Sequence, residues 1–198
     1  MYAKIAADGT DPAKIVFLYN RDTLFNDVAL MSNFMAKNLS TKDGNALTDE
    51  YAISDDEREL VEVCINATLP DIYEAMLKIT SSVVPAFEED VNIDSGGTGN
   101  PLKVNIGEDI AGNDVEVEYG HYVEFYIRDN EAYNANVLTL VDASIYNCLK
   151  HGVLKEFYST VVQADFFKLC ADRFVAELFK MKQRLFQLKR KSAVTNPF

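Results

Sequence analysis

Two histidines, three cysteines and one glycine-rich stretch are the places where residue types in this chain could do chemistry. His121 and His151 could take part in acid–base catalysis, and Cys64, Cys148 and Cys170 could form disulfides or a zinc site. Neither histidine lies near a cysteine in sequence, and no CxxC spacing occurs. The segment SGGTGNPLK invites a phosphate-loop reading. No GK[ST] follows it, however, and Pro101 blocks a helix start where the phosphate would need one. Acid–base catalysis needs two carboxylates held at a defined separation. The acids here fall on caps, strand faces and loops. The expectation is a protein that is not an enzyme, with no metal and no cofactor. Its thiols should be buried and free, His121 should sit in the core on the apolar face of a strand, and His151 should complement a helix C-terminus before Gly152.

Charge is more informative. The net charge is −12, yet from Leu178 to Phe198 there is no Asp or Glu. Lys180, Lys182, Arg184, Lys189, Arg190 and Lys191 all fall in that stretch, so residues 1–177 carry −18. A body that acidic repels a nucleic-acid backbone and favours basic partners, including the basic segment of a neighbouring copy. At 100° per residue, Arg173, Lys180, Arg184 and Lys191 fall within about 40° and form one basic ridge. Val175, Phe179 and Phe186 lie on a second face, away from the main apolar stripe, which means either a wide groove within the chain or contact with another chain; Phe179 and Phe186 are expected at a subunit interface.

The elements that must position these residues follow from periodicity. Residues 1–14 read as an extended arm, and IVFLY (15–19) as a strand or the entry to a helix. Residues 22–84 read as helical: Leu24, Val28, Met31 and Met35 share a face. Ser54 with Glu57 forms a capping box, and Pro70 should kink or break the helix at Leu69. Residues 88–101 read as a flexible loop that orders on assembly. Alternation from Val115 to Ile127, including His121, predicts a long strand or two strands broken at Gly120, with LKVNI (102–106) as antiparallel partner. Residues 134–191 return to helical spacing. The final helix is expected from about Ser159, with Phe167, Cys170, Phe174, Leu178, Met181, Leu185 and Leu188 as its stripe. At about 45 Å one of its ends should project or dock on something else. The fold class expected is therefore mainly α, a single-domain helical bundle with an inserted β-hairpin or small sheet at 102–128, a long C-terminal helix and a tail at 192–198. No apolar run is long enough to cross a bilayer, and the start lacks a secretory h-region, which implies folding in a cytoplasm.

This layout resembles the small neck proteins of tailed bacteriophages. YNANVLTLVDASIYNCLKHGVLKEFY, followed by a long helix ending QRLFQLKRKSAVTNPF, resembles the C-terminal half of head–tail connector (adaptor) subunits in phages of gut bacteria. The resemblance covers residues 133–198 and rests on layout. It implies a structural virion protein, assembled in the host cytoplasm as a homo-oligomeric ring. Its partners would be portal and tail or neck proteins, with DNA passing close by in the channel and no membrane. Arg173, Lys180, Arg184 and Lys191 would meet acidic protein surface, and Pro197 and Phe198 would anchor on an adjacent subunit. The β-region and glycine loop at 88–128 suit a tail terminator or tail completion ring protein equally. A cytoplasmic nucleic-acid-binding or regulatory factor is the alternative from another class.

Overall fold

The computed structural model describes residues 1–7, 13–37, 51–77, 86–93, 103–109, 111–128 and 135–189. Six strands form one antiparallel sheet: β1 Tyr2–Ile5, β2 Lys14–Asn20, β3 Ala86–Ile93, β4 Lys103–Glu108, β5 Asp114–Glu118 and β6 Gly120–Arg128, in the order β3-β6-β2-β1-β4-β5. Four α-helices are described: α1 Arg21–Lys37, α2 Arg58–Leu77, α3 Ala135–Thr160 and α4 Ala164–Lys189. The expected helical bundle with an inserted hairpin is thus overturned, because the sheet is a full layer of the fold. The supposed arm at 1–14 contributes β1 and the first residue of β2. Residues 88–93 of the expected 88–101 loop belong to β3, the rest of that loop lies outside the described residues, and β6 pairs with β2 and β3 well outside any 102–128 hairpin.

β2 lies inside the sheet with both faces covered, so IVFLY is apolar throughout. Its Ile15, Phe17 and Tyr19, with Val123, Phe125 and Ile127 of β6, face the helices. Val16 and Leu18 face the other way, into a second cluster with Ala3, Val117 and Tyr122. That second cluster exists because the sheet rolls. Only Tyr119 links β5 to β6, yet β4, β1 and β2 stand between them in the order. A flat sheet would put those strands about 19 Å apart, and two Cα steps reach only about 7.6 Å. The bend falls at Gly107, where β4 meets β1 through the single pair Lys4–Glu108. Gly107 has φ +150°, and a Cβ there would lie 2.3 Å from the Lys4 carbonyl oxygen. Hence the single alternating face expected from Val115 to Ile127 splits at Gly120. Val117 enters the rolled side, while Val123, Phe125 and Ile127 enter the helical side.

Local signals set the helix ends. Asn20 Oδ1 accepts from the Thr23 amide (2.9 Å) and caps α1. Glu57 accepts from the Ser54 amide (2.8 Å), as the capping box requires, although a 3-10 turn at Asp55–Glu57 precedes α2. Arg21, buried at the start of α1, donates to Glu62 (2.6 Å), to Asn66 (2.7 Å) and to the Glu89 carbonyl, joining α1, α2 and β3. A kink or break was expected at Pro70, and the helix runs through it without a break. Pro70 is on the solvent side of α2, where water can serve the freed carbonyl, while Leu69 and Ile72 beside it are fully buried.

Gly152 likewise does not stop a helix. α3 runs through it to Thr160, so His151 is mid-helix and not a cap. A Cβ at Gly152 would lie 2.3 Å from Thr68 Cγ2 of α2 and 3.0 Å from the Phe174 ring of α4. Glycine is there so that three helices can meet. α3 ends instead in a Schellman arrangement. The Gln163 amide donates to the Tyr158 carbonyl (2.9 Å) and the Val162 amide to that of Ser159 (3.4 Å). Val162 occupies the left-handed position at φ 58° and is 84% exposed. A β-branched residue is strained there. Val162→Gly should therefore stabilise the fold by about 1 kcal/mol and raise Tm by roughly 2–4 °C. An unchanged or lower Tm in a thermal melt would show that the strain is absent.

Candidate subunit-contact site

The residues expected to make contacts between subunits lie mainly on α4, which packs on α3 and, over a shorter stretch, on α2. Its inner face buries Phe166, Cys170, Phe174, Met181, Leu185 and Leu188. Phe166 takes the place expected for Phe167, because α4 begins at Ala164 and its first turn meets Tyr158 (ring centroids 4.8 Å apart) and Tyr51 (5.8 Å). The helix is one arm of an antiparallel pair of equal lengths, laid back along its partner, so the expected single projecting helix is corrected to a helical hairpin.

The basic ridge does not stay together as a surface. Arg184 donates to the Leu140 carbonyl (2.8 Å) and to the Ser144 hydroxyl, latching α4 onto α3. Lys180 pairs with Glu177 one turn back (2.6 Å). Arg173 is exposed, and Lys191, Pro197 and Phe198 lie outside the described residues. A helical wheel places the four cations on one side but cannot see that α3 passes beneath one of them. The second apolar face is present: Val175 is 64%, Phe179 61% and Phe186 48% exposed.

Sequence reasoning missed an open cleft of about 730 Å³ to which no residue of α4 contributes. The end of β2, the start of α1, the β5–β6 link and the first half of α3 line it. Tyr19, Tyr119, Tyr122 and Tyr146 contribute to its lining, and Asp22, Asp27, Glu116, Glu118 and Asp142 make it acidic against Lys103 and the Met1 amino group. Asp142 accepts from the Tyr19 hydroxyl (2.9 Å) and the Met1 amino group (2.8 Å), and Asp27 accepts from the Tyr146 hydroxyl (2.7 Å). Burial, then these carboxylates, push both phenols well up, so they stay donors at neutral pH. No periodicity could reveal this site, because residues from five separate segments converge only when the sheet rolls.

The groups with potential chemistry are spread out. His121, expected in the core, is exposed at the start of β6 and bonds Asp90 Oδ1 (2.7 Å) at the β3 bulge. The cavity beside that pair is lined by Arg21, Asp22, Arg58, Glu62, Asn66 and Glu89, with no Ser, Thr or Cys. The three thiols are free and buried as expected; burial raises Cys64 to about 11 and Cys170 to about 12. His151 keeps a buried Nδ1 without a hydrogen-bond partner, and burial, with Arg173 nearby, lowers its pKa. Among the described residues no group of three or more His, Cys, Asp or Glu could hold a metal ion, and no helix is long and apolar enough to cross a membrane.

No known protein family, curated protein or solved structure matches this chain.

One buried charge lies on the rolled side of the sheet. Glu124, 8% exposed, meets Lys14 at 3.4 Å and stands opposite Glu88 in β3. Burial raises its pKa more than Lys14 lowers it. The folded state therefore disfavours the carboxylate, and stability is recovered as pH falls through the raised folded value. Glu124→Gln should raise Tm at pH 7.5, with the gain shrinking as the pH is lowered towards 4. A lower Tm for the variant at pH 7.5 would mean that the attraction of Lys14 outweighs burial.

Proposed function

We propose that this chain is a structural component of a phage virion, a subunit of a homo-oligomeric ring in the neck, acting as a head–tail connector between portal and tail. The observation that carries the reading is a mismatch within one molecule. An acidic, tyrosine-walled cavity sits on the body, while residues 178–198 carry six cations and no acid. Two such complementary patches at different places on one surface make a head-to-tail contact, and head-to-tail contacts close into rings when the rotation allows. The basic segment Lys189–Lys191 of one copy enters the cavity of the next, with Glu116 and Glu118 of β5 at its mouth. Tyrosine walls suit it, since cations are attracted to aromatic faces as well as to carboxylates.

The resemblance of residues 133–198 to adaptor subunits adds support from the helical half. A tail terminator or tail completion ring protein is the second reading within the same class. For a nucleic-acid-binding factor the support is weaker, because Arg184 and Lys180 of the ridge are already engaged within the chain. Contact in the neck would be with protein above and below, and assembly would place the subunit in the virion.

The test is assembly. Glu116 and Glu118 are exposed on β5, so reversing both to Lys should leave the thermal melt within a degree or two of the parent. Mass photometry of the purified protein should then show closed multimers for the parent and single subunits or pairs for the variant. Parent multimers should also weaken at raised salt. Multimers indifferent to both the reversal and salt would contradict the proposal.

A further inference from the structure

The solvent side of α4 carries a second seam that the fold leaves uncovered. Lys168, Asp172, Val175, Phe179 and Lys182 recur at spacings of four, three, four and three. That is an unbroken heptad a/d pattern, and it faces away from the stripe buried against α3. The seam is apolar at its centre and charged towards its ends. It is distinct from the basic ridge, whose Arg184 and Lys180 are engaged elsewhere.

The order of those residues specifies a partner. In an antiparallel helix pair, an a position of one helix meets a d position of the other. With a two-fold axis level with Glu177, Val175 meets Phe179 of the partner subunit, and Asp172 meets Lys182 of the partner subunit. Each layer pairs acid with base or apolar with apolar. A parallel pair would stack Asp172 on Asp172 of the partner subunit and Lys182 on Lys182 of the partner subunit. Sliding the antiparallel pair by one heptad would separate Asp172 from Lys182 of the partner subunit. The register level with Glu177 keeps that pair together, and its seam from Lys168 to Lys182 is about 21 Å long at 1.5 Å per residue.

We propose that two copies of this chain pair through the outer faces of their α4 helices, antiparallel, about a two-fold axis level with Glu177. The contact is isologous and closes at two, so it does not depend on the ring reading, whose contact is head-to-tail.

Sedimentation velocity of the full chain over a concentration series tests the pairing, using D172K, K182D and the double variant. The parent should pass from monomer to dimer. Each single change puts like charges into two layers of the dimer and should raise the dissociation constant about tenfold. The double variant restores opposite charges and should recover most of the affinity. Both positions are on the outer face, so far-ultraviolet circular dichroism should be unchanged. A parent that stays monomeric overturns the proposal, as do single variants without effect or a double variant no better than the singles. A parallel pair would give the last two results. Dimers that respond to the charge swap while no multimer forms would refute the ring and leave the pairing intact. Multimers unaffected by the swap, from a parent that shows no dimer, would do the reverse.

Discussion

The close meeting of α2, α3 and α4 at Gly152 is the constraint on which the rest depends. α3 packs against α1, α2 and α4, and its residues from Leu138 to Tyr158 supply much of the main core. Only a residue without a side chain lets Thr68 of α2 and Phe174 of α4 come so near its backbone. Because α3 takes the position next to the sheet and the other helices, α4 is left outermost. It covers α3 with one face, fixed by Arg184 at one end and Phe166 at the other, and presents its opposite face to solvent. An outer helix with apolar residues on both sides is costly for a lone subunit and natural for one that meets its own kind.

The rolled sheet makes the complementary half of the molecule. Gly107 lets β4 turn against β1, and the single-residue link at Tyr119 returns the chain to β6. The roll buries Val16, Leu18 and Val117 on a face that would otherwise be wet. It also carries the acidic strand β5 round to α1 and α3, and so creates the tyrosine-walled cavity. Acidic cavity and basic terminal segment are thus products of two different parts of the fold, one built by strand curvature and one by helix sequence.

What could be read from the sequence was what depends on near neighbours. The capping box at Ser54 and Glu57, the break at Gly120 and the exposed Val175, Phe179 and Phe186 are set by spacing within one element. The sheet was underestimated because four residues, Tyr2–Ile5, are too few to show a period, and because β3 is mixed polar and apolar. Pro70 and Gly152 were misjudged for one reason. Local propensity argues for a break at each, while burial of Leu69 and Ile72 in one case, and close helix contact in the other, decides against it. The cavity was beyond reach, since Asp27, Glu116 and Asp142 are neighbours only after folding. For the ridge on α4, the angles were legible and the contacts of Arg184 were not.

We propose that this fold is a building block, with function residing in how copies meet. Direct imaging tests it: negative-stain electron microscopy of the purified chain at high concentration and low salt. The prediction is closed rings of uniform diameter, with a central channel, that disperse when the salt is raised. Particles of single-subunit size at every concentration and salt would contradict it.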